Sequence, residues 1–139
     1  MRQNWNDYFM SIAEQVATRA TCSRRQVGCV IVKNKNILTT GYNGSPPKQE
    51  HCSDVGCYIN QGHCIRTIHA ETNAINQAAK NGIALEDAIL YCTSKPCWKC
   101  LQNIITAGIK TVYYRDDYHI DNQLYNETLE KQNIKLINI

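Results

Sequence analysis

Two short segments of the chain carry residue types that together can hold a metal ion. They are HAE at residues 69–71 and PCWKC at residues 96–100. The imidazole of His69 and the thiols of Cys97 and Cys100 make a three-ligand zinc set, which leaves a fourth position for water, as catalytic zinc sites do. Zinc lowers the pKa of a water bound in that position to about 7, so hydroxide is available at neutral pH.

A carboxylate lies beside these candidate ligands in the sequence. Glu71 is two residues from the histidine, and it is free to take a proton from the water and pass it to a leaving group. The arrangement H-x-E…P-C-x-x-C is the signature of zinc-dependent nucleobase deaminases. The alternatives are a structural zinc, or two free thiols beside an unrelated histidine. The HAE triplet, the preceding proline and a spacing of about 25 residues together favour the catalytic zinc.

Both segments are predicted to begin helices. Apolar residues after His69 recur at helical spacing, which predicts a helix that ends near Gly82. Pro96 is tolerated in the first turn of a second helix, predicted over residues 97–107 with Gly108 as its stop. The two cysteines of PCWKC then lie on one face of the first turn, where the positive end of the helix dipole favours thiolate.

The composition indicates an ordinary folded protein. A length of 139 residues, with 43% hydrophobic and 19% charged residues, predicts one domain over residues 1–139. No apolar run approaches the roughly 18 residues of a membrane span, and no signal region is evident, so we expect a cytoplasmic protein without a membrane partner. The net charge of +3 comes without a run of lysines and arginines, so we expect no nucleic-acid partner.

Hydrophobic periodicity predicts the element order α-β-β-α-β-α-β-α-β. Helices are predicted at residues 5–19, 69–82, 97–107 and 123–132, and strands at 27–32, 37–42, 88–93, 111–114 and 135–139. A polar hairpin loop is expected at 33–36, and further loops at 43–68 and 115–122. Strands and helices alternate after the first hairpin, which predicts an α/β fold with helices on both faces of the sheet.

The cysteines indicate a second metal site. A reducing compartment disfavours disulfides, so eight cysteines point to metal or catalytic roles. Cys29 and Cys92 fall within predicted strands and are expected to be buried. The remaining thiols and a neighbouring histidine suffice for a closed structural zinc site that orders the long 43–68 segment. The candidate ligands are Cys22, Cys52, Cys57, His63 and Cys64. His63 and Cys64 are alternatives for one ligand position, and His51 is a weaker candidate. Four reduced thiols without a metal are the alternative.

The chain resembles a known family, the deoxycytidylate (dCMP) deaminases of the cytidine deaminase-like superfamily. It is most similar to the bacterial and phage branch that includes late-competence operon proteins. HAE and PCxxC are shared by the whole superfamily, whereas WNDYFM, GYNGSP, HCSDVGCYINQGHCIRTIHAETNAI, AGIKTVYY and DDYH are more specific. The resemblance covers nearly the whole chain. It implies the cytidine deaminase-like fold, a three-layer α/β/α sandwich around a five-stranded mixed sheet.

The resemblance also implies an activity, the hydrolytic deamination of dCMP to dUMP with release of ammonia, which supplies thymidylate synthesis. Carried over by position, His69, Cys97 and Cys100 hold the catalytic zinc, and Glu71 is the proton shuttle.

Further implications of the resemblance concern the nucleotide, its regulation and assembly. Asn43 and Gly44 of the GYNG turn, together with Asn73, fall at positions that contact nucleotide in the family. The family is associated with activation by dCTP with Mg²⁺ and inhibition by dTTP. Its members form homo-oligomers, such as hexamers or trimers, and some carry a structural zinc in the loop before HAE.

A monophosphate substrate needs cationic or hydrogen-bond donor groups. The available cations are Arg24, Arg25, Arg66, Lys95, Lys99 and Arg115. Ligands of open α/β sheets bind beyond the carboxyl ends of the strands. Because Arg115 and Tyr118 follow a predicted strand, we favour them for the phosphate, with Arg24 next.

Two other functions share part of this pattern. An editing deaminase acting on tRNA or single-stranded DNA would use the same zinc chemistry, but it would favour an extended basic surface lined by aromatic residues. The sequence gives little support for such a surface. A non-catalytic nucleotide-binding competence protein is the other alternative, and the intact set of Glu71 and three zinc ligands argues against it.

Overall fold

The computed structural model describes residues 1–118, 120 and 122–139. In chain order the elements are α1 (Trp5–Ala17), β1 (Gly28–Lys33), β2 (Asn36–Tyr42), α2 (Cys52–Val55), β3 (Ile59–Asn60), β4 (His63–Cys64), α3 (Ala70–Lys80), β5 (Ile89–Ser94), α4 (Trp98–Thr106), β6 (Thr111–Asp116), α5 (Gln123–Lys131) and β7 (Lys135–Asn138). Two residues of the predicted 115–122 loop, His119 of the DDYH motif and Asp121, lie outside the described residues.

A five-stranded mixed sheet, in the order β2-β1-β5-β6-β7, forms the centre of the fold. Strand β1 pairs antiparallel with both β2 and β5, whereas β5, β6 and β7 are parallel neighbours. The first hairpin closes through Asn34 and Lys35, with φ values of 53° and 64°. Positive φ at both central residues is typical of the tight turns that match the twist of paired strands. The predicted mixed sheet is confirmed.

Helices cover both faces of this sheet because residues along the strands alternate between the two sides. On one face, Val30 and Val32 of β1 pack with Tyr91 of β5 against α1. On the other face, Cys29 and Ile31 belong to a cluster with α3 and α4. Cys92 lies in the same cluster, so both strand cysteines are buried as predicted. The three-layer α/β/α sandwich is thereby confirmed.

Several element boundaries differ from the predictions. Helix α1 ends at Ala17 instead of residue 19, because the amides of Thr18 and Arg19 bond to carbonyls three residues back, which tightens the last turn. The predicted irregular segment 43–68 contains α2, β3 and β4, which are too short to show a periodicity. Strand β6 continues to Asp116, so the predicted loop begins later.

Other boundaries agree within one or two residues. Helix α4 begins at Trp98, because Cys97 is its N-cap, and Gly108 after it has a φ of 91°. None of the helices in the described part of the chain has the length and apolar character needed to span a membrane.

Close packing of β2 against α3 requires glycine at position 41. A Cβ at Gly41 would lie 2.5 Å from the Ala74 amide nitrogen and closer still to the Ala70 carbonyl oxygen. Only a strand without a side chain at this point can lie so near to the helix that carries Glu71.

We therefore predict that Gly41→Ala lowers the free energy of unfolding by about 3 kcal/mol, because strand and helix must separate to fit the methyl group. Urea denaturation followed by circular dichroism measures this change. Thr40→Ala, at an exposed position on the same strand, is the matched control. A Gly41→Ala protein as stable as this control would contradict the packing argument.

Candidate functional site

The structure brings the three predicted zinc ligands together. The Nδ1 atom of His69 lies 3.5 Å from Sγ of Cys97 and 3.4 Å from Sγ of Cys100. With zinc–nitrogen and zinc–sulfur distances of about 2.0–2.3 Å, tetrahedral ligand atoms are separated by about 3.6 Å. The donor set therefore fits zinc in both chemistry and spacing.

Two helix beginnings position these ligands. His69 is the N-cap of α3, Cys97 is the N-cap of α4, and Cys100 lies in the first turn of α4. The Cys100 thiol, together with His69, hydrogen-bonds the Cys97 sulfur and lowers its pKa to about 4. The same interaction, with burial, raises the pKa of Cys100. The thiolate form of Cys97 is thus favoured even before a cation binds, and a bound metal ion would favour the thiolate form of both cysteines.

Glu71 lies beside this group, in the first turn of α3. Its side chain is only 4% exposed, and burial raises the pKa of the carboxyl group. A raised pKa makes the carboxyl group easier to protonate, which suits a group that must both accept and donate a proton, as a general acid–base does. The predicted pairing of metal ligands and a proton carrier is therefore present in space.

These residues form part of the wall of a cavity of about 290 Å³. The lining includes His69 and Cys97 from the metal group, Glu71 beside them, and Arg24, Arg25, His63, Ser94, Lys95 and Tyr118 around them. One cavity thus contains a metal-binding part and a part rich in cations and hydrogen-bond donors.

Arg25 is the most tightly positioned of the cavity cations. Its guanidinium donates a hydrogen bond to Oγ of Ser94 and lies over the Tyr118 ring, with Cζ 4.7 Å from the ring centroid. Lys95 lies nearby, and its Nζ is 3.8 Å from a carboxylate oxygen of Asp117. The Tyr118 ring and the Ser94 hydroxyl together orient the guanidinium, which favours binding of an oxyanion.

Sequence reasoning did not identify Ser94, although it ends β5 and precedes Lys95. The rule that ligands bind beyond the carboxyl ends of strands, applied to β5 as well as β6, could have found it. Tyr118 and Arg24, both predicted for the phosphate, do line the cavity.

The structure places Arg115 elsewhere. Its guanidinium bonds the carboxylates of Glu14, at 2.9 Å, and Asp116, at 2.8 Å, and these partners raise its pKa. Among the described residues, the cavity lining does not include Arg115. The sequence predicts that β6 ends before Arg115, whereas the strand continues to Asp116 and brings the Arg115 guanidinium to Glu14 of α1.

Two further predicted cations also lie away from the cavity. Arg66 donates from Nε to the Gly56 carbonyl and lies 4.0 Å from Glu50, while Lys99 is exposed on α4. Neither belongs to the lining that the described residues form.

The predicted nucleotide-contact residues of the GYNG turn make backbone hydrogen bonds. Asn43 lines the cavity, but its Oδ1 accepts from the Val27 amide at 2.8 Å and its Nδ2 donates to the Arg25 carbonyl at 2.7 Å. The side chain of Asn43 therefore fixes the backbone that carries Arg25.

Asn73 has a comparable structural role on α3. Its Nδ2 donates to the carbonyls of Tyr42, Gly44 and Ile68, at 2.8–3.4 Å. Gly44 forms an isolated β-bridge with Ile68. Neither Gly44 nor Asn73 belongs to the cavity lining that the described residues form. The bonds of Asn73 instead hold the GYNG turn against α3, the helix that carries Glu71.

A second group of possible metal ligands consists of four thiols, Cys22, Cys52, Cys57 and Cys64, which we call the four-thiol group. The sulfurs of Cys22 and Cys57 are 3.7 Å apart, those of Cys52 and Cys64 are 3.5 Å apart, and all four lie within 4.8 Å of one another. Tetrahedral zinc–thiolate sites have sulfurs about 3.8 Å apart, whereas a disulfide needs about 2.0 Å. The spacing fits zinc.

The structure also separates the alternatives that the sequence left open. Both residues line the cavity, but only Cys64 belongs to the four-thiol group. His51 is the exposed N-cap of α2 and is not part of the group formed by the described residues. Adjacent residues of a strand point to opposite sides, so β4 can direct only one of its two residues toward the sulfurs.

Comparison with known proteins agrees with this geometry. Residues 3–116 match the family model of the cytidine and deoxycytidylate deaminase zinc-binding region. The chain is 50% identical over 117 residues to ComE operon protein 2 of Bacillus subtilis, covering 84% of this chain and 62% of that protein. It is 37% identical over 131 residues to deoxycytidylate deaminase of Saccharomyces cerevisiae, covering 90% of this chain and 42% of that protein. The chain thus spans less than two thirds of the length of both relatives.

A solved structure covers the whole chain. The dCMP deaminase of cyanophage S-TIM5, solved in complex with dCMP and dUMP, superposes with a TM-score of 0.84 at 30% identity. The match covers 100% of this chain and 99% of the phage chain.

The two donor sets predict two zinc ions per chain. Cys97→Ser and Cys57→Ser should each lower the zinc content by one, because each removes a ligand of a different set. Atomic absorption on purified protein measures the ratio, with His51→Ala as a control that keeps both ions. A wild-type ratio near one, with Cys52 and Cys57 freely alkylated, would contradict the second site.

Proposed function

The chain belongs to the cytidine and deoxycytidylate deaminase family, and on this basis we propose that it catalyses zinc-dependent hydrolytic deamination of dCMP to dUMP and ammonia. The observation that carries the proposal is the group of His69, Cys97 and Cys100 beside the buried carboxyl of Glu71, with His69, Cys97 and Glu71 in the wall of one cavity. The deoxycytidylate deaminase of yeast and the phage enzyme solved with dCMP and dUMP support the choice of substrate.

The residues of the chain have distinct roles in this reaction. His69, Cys97 and Cys100 would hold a zinc ion, which supplies an activated water at neutral pH when bound. Glu71 accepts a proton from the attacking water and delivers it to ring nitrogen N3. It then takes the second proton, from the hydroxyl group formed at C4, and passes it to the amino group, which leaves as ammonia while the C4 carbonyl forms.

The cationic part of the cavity would bind the 5′-phosphate of the nucleotide. Arg25 presents an oriented guanidinium, and Arg24, Lys95 and Tyr118 line the same region. Hydrogen bonds between an ionised donor and a phosphate are the strong ones in proteins. Arg115 is not part of this proposal, because its guanidinium is occupied by two carboxylates.

The resemblance supports the remaining features of the proposal. The four-thiol group would hold a structural zinc, and dCTP with Mg²⁺ and dTTP would act as effectors. We further propose a homo-oligomer, hexameric or trimeric, and a cytoplasmic location, where free dCMP and reduced thiols are available.

We predict that Glu71→Gln retains its zinc but loses about 10²–10⁴-fold in kcat for dCMP, because the proton carrier is removed while the metal ligands remain. A spectrophotometric assay with ammonia detection measures the rate, and atomic absorption measures the zinc. Near-normal turnover would discard the proposed role of Glu71. Wild-type activity on tRNA or single-stranded DNA, without activity on free dCMP, would instead favour an editing deaminase.

A second prediction concerns Arg25. The Arg25→Gln change should raise KM for dCMP by about 10–100-fold, the loss expected for one hydrogen bond to a charged group. Turnover of deoxycytidine, which lacks the phosphate, should change much less. Arg19→Gln, at an exposed arginine outside the cavity lining, is the matched control. Equal losses on both substrates would remove Arg25 from phosphate binding.

A further inference from the structure

Tyr125 is a buried polar residue to which the proposed reaction assigns no role. Its side chain is 1% exposed, and among the residues of α5, all of which the structure describes, it alone is buried. The phenol hydroxyl donates a hydrogen bond of 2.7 Å to the Pro96 carbonyl. A buried hydroxyl costs free energy unless it is paired, so an apolar side chain would suffice if α5 needed only an anchor. The hydroxyl therefore points to a role in holding Pro96.

This hydrogen bond reaches the peptide that leads into a proposed metal ligand. Cys97 is the N-cap of α4, and its carbonyl accepts from the Leu101 amide at 2.9 Å, so the helix holds this residue from its carboxyl side. On the other side, the Pro96 carbonyl and the nitrogen and Cα of Cys97 share one planar peptide unit. Fixing the Pro96 oxygen restricts the rotation of that unit, and with it the direction of the Cα–Cβ bond of Cys97.

The Tyr125 ring also contacts residues on both sides of Cys97. Nζ of Lys95 lies 5.5 Å from the ring centroid, within the range of a cation–π interaction, and the ring centroid of Trp98 lies 6.3 Å away. The Lys95 amide is itself bonded to the Asp116 carbonyl at 2.9 Å. One side chain of α5 therefore packs along the segment that joins β5 to α4.

The other ligand at a helix N-cap has an equivalent support. His69 is the N-cap of α3, and the Ile68 carbonyl before it accepts from the Gly44 amide at 3.1 Å and from Nδ2 of Asn73 at 3.3 Å. At both helices, the carbonyl that precedes the ligand is thus held by a donor from another segment of the chain. For His69 that donor is the backbone of the GYNG turn, whereas for Cys97 it is a side chain of α5.

We propose that Tyr125 is a positioning residue for the metal centre: its hydroxyl fixes the peptide before Cys97 and so holds the Cys97 sulfur within the donor set. Tyr125 follows residues 3–116, the part of the chain that matches the family model, so this support comes from outside the matched region. The inference rests on the proposed function, since it needs a metal ion at this donor set, but it does not depend on which nucleotide is deaminated.

The first test follows the loss of zinc from the purified holoprotein. EDTA removes the metal, iodoacetamide alkylates each freed thiol, and mass spectrometry reports the rate separately for Cys97 with Cys100 and for Cys52 with Cys57. Tyr125→Phe keeps the ring and removes the hydroxyl. It should speed the alkylation of Cys97 and Cys100 about tenfold, as expected when a residue that supports a metal ligand is lost. The rate at the four-thiol group should stay that of the wild type.

The second test reports the geometry of the centre by spectroscopy. After exchange of zinc for cadmium, NMR of the metal nucleus distinguishes an ion held by one imidazole and two thiolates from an ion held by four thiolates. Tyr125→Phe should shift the resonance of the first ion, because the Cys97 sulfur is displaced, and leave that of the second in place. A loss of stability that does not move Cys97 would shift neither resonance.

Tyr91→Phe is the matched control. Tyr91 is also buried, and its hydroxyl donates to Oδ1 of Asn6 at 2.6 Å, on the side of the sheet that α1 covers. Each variant loses one phenol hydroxyl and its hydrogen bond, so urea denaturation should show similar losses of stability. Only Tyr125→Phe should change the rate of zinc loss and the cadmium resonance.

A second variant acts on Tyr125 from a distance. Asn122→Ala removes the side-chain cap of α5, in which Oδ1 accepts from the Leu124 amide at 3.0 Å. Because the Tyr125 side chain remains, the alkylation of Cys97 should become faster than in the wild type but slower than in Tyr125→Phe. This variant tests the inference even if Tyr125→Phe fails to fold, and a wild-type rate would then count against it.

Three outcomes would overturn the inference. They are a wild-type rate and resonance in Tyr125→Phe, an equal effect of Tyr91→Phe, and an equal acceleration at the four-thiol group. A wild-type chain that binds no metal at His69 would overturn it together with the proposed function. Failure of the metal-loaded wild type to release ammonia from dCMP would overturn the proposed function alone, because neither test involves turnover.

Discussion

The meeting of two helix N-termini is the constraint on which the site depends. Helix α4 follows directly from β5, so its first turn lies at the carboxyl end of that strand, while α3 is brought to the same place by its packing on β2. Asn103 donates to Oγ1 of Thr72 at 3.2 Å, and that hydroxyl lies 3.8 Å from Sγ of Cys100, so the two helices are also bonded to each other. A shift of either helix by one residue would rotate its ligand by about 100° and disperse the donor set.

The cavity has two ends with different physical supports. The metal end is built from regular elements whose positions are set by burial of apolar residues, and such elements hold side chains closely. The cation-rich end is built from loop segments, whose positions are set by a few polar contacts such as those of Asn43. Binding groups carried on loops over a rigid scaffold are common in enzymes, and here the four sulfurs of the four-thiol group lie together beside the β3–β4 hairpin, whose Ile59 side chain is exposed.

The sequence predicted what depends on local spacing and could not predict what depends on how elements meet. Periodicity identified the sheet and both ligand-bearing helices, and the HAE and PCxxC spacing identified the metal group. The place of Arg115 required knowledge of where β6 ends, and the choice between His63 and Cys64 required the orientation of a two-residue strand. The backbone hydrogen bonds of Asn73 also join segments distant in sequence, which no local pattern reports.

The tight turn at Asn34 and Lys35 has a practical consequence for work on this protein. Strand β1 begins at Gly28, directly after Val27 in the cavity wall, and ends at Lys33 beside the turn, and its six residues of extended chain span about 20 Å. The turn is exposed and lies at the far end of the strand from the active centre. It is therefore a suitable place to insert an affinity peptide, attach a fluorophore or open a circularly permuted chain, since exposed loop tips tolerate such additions.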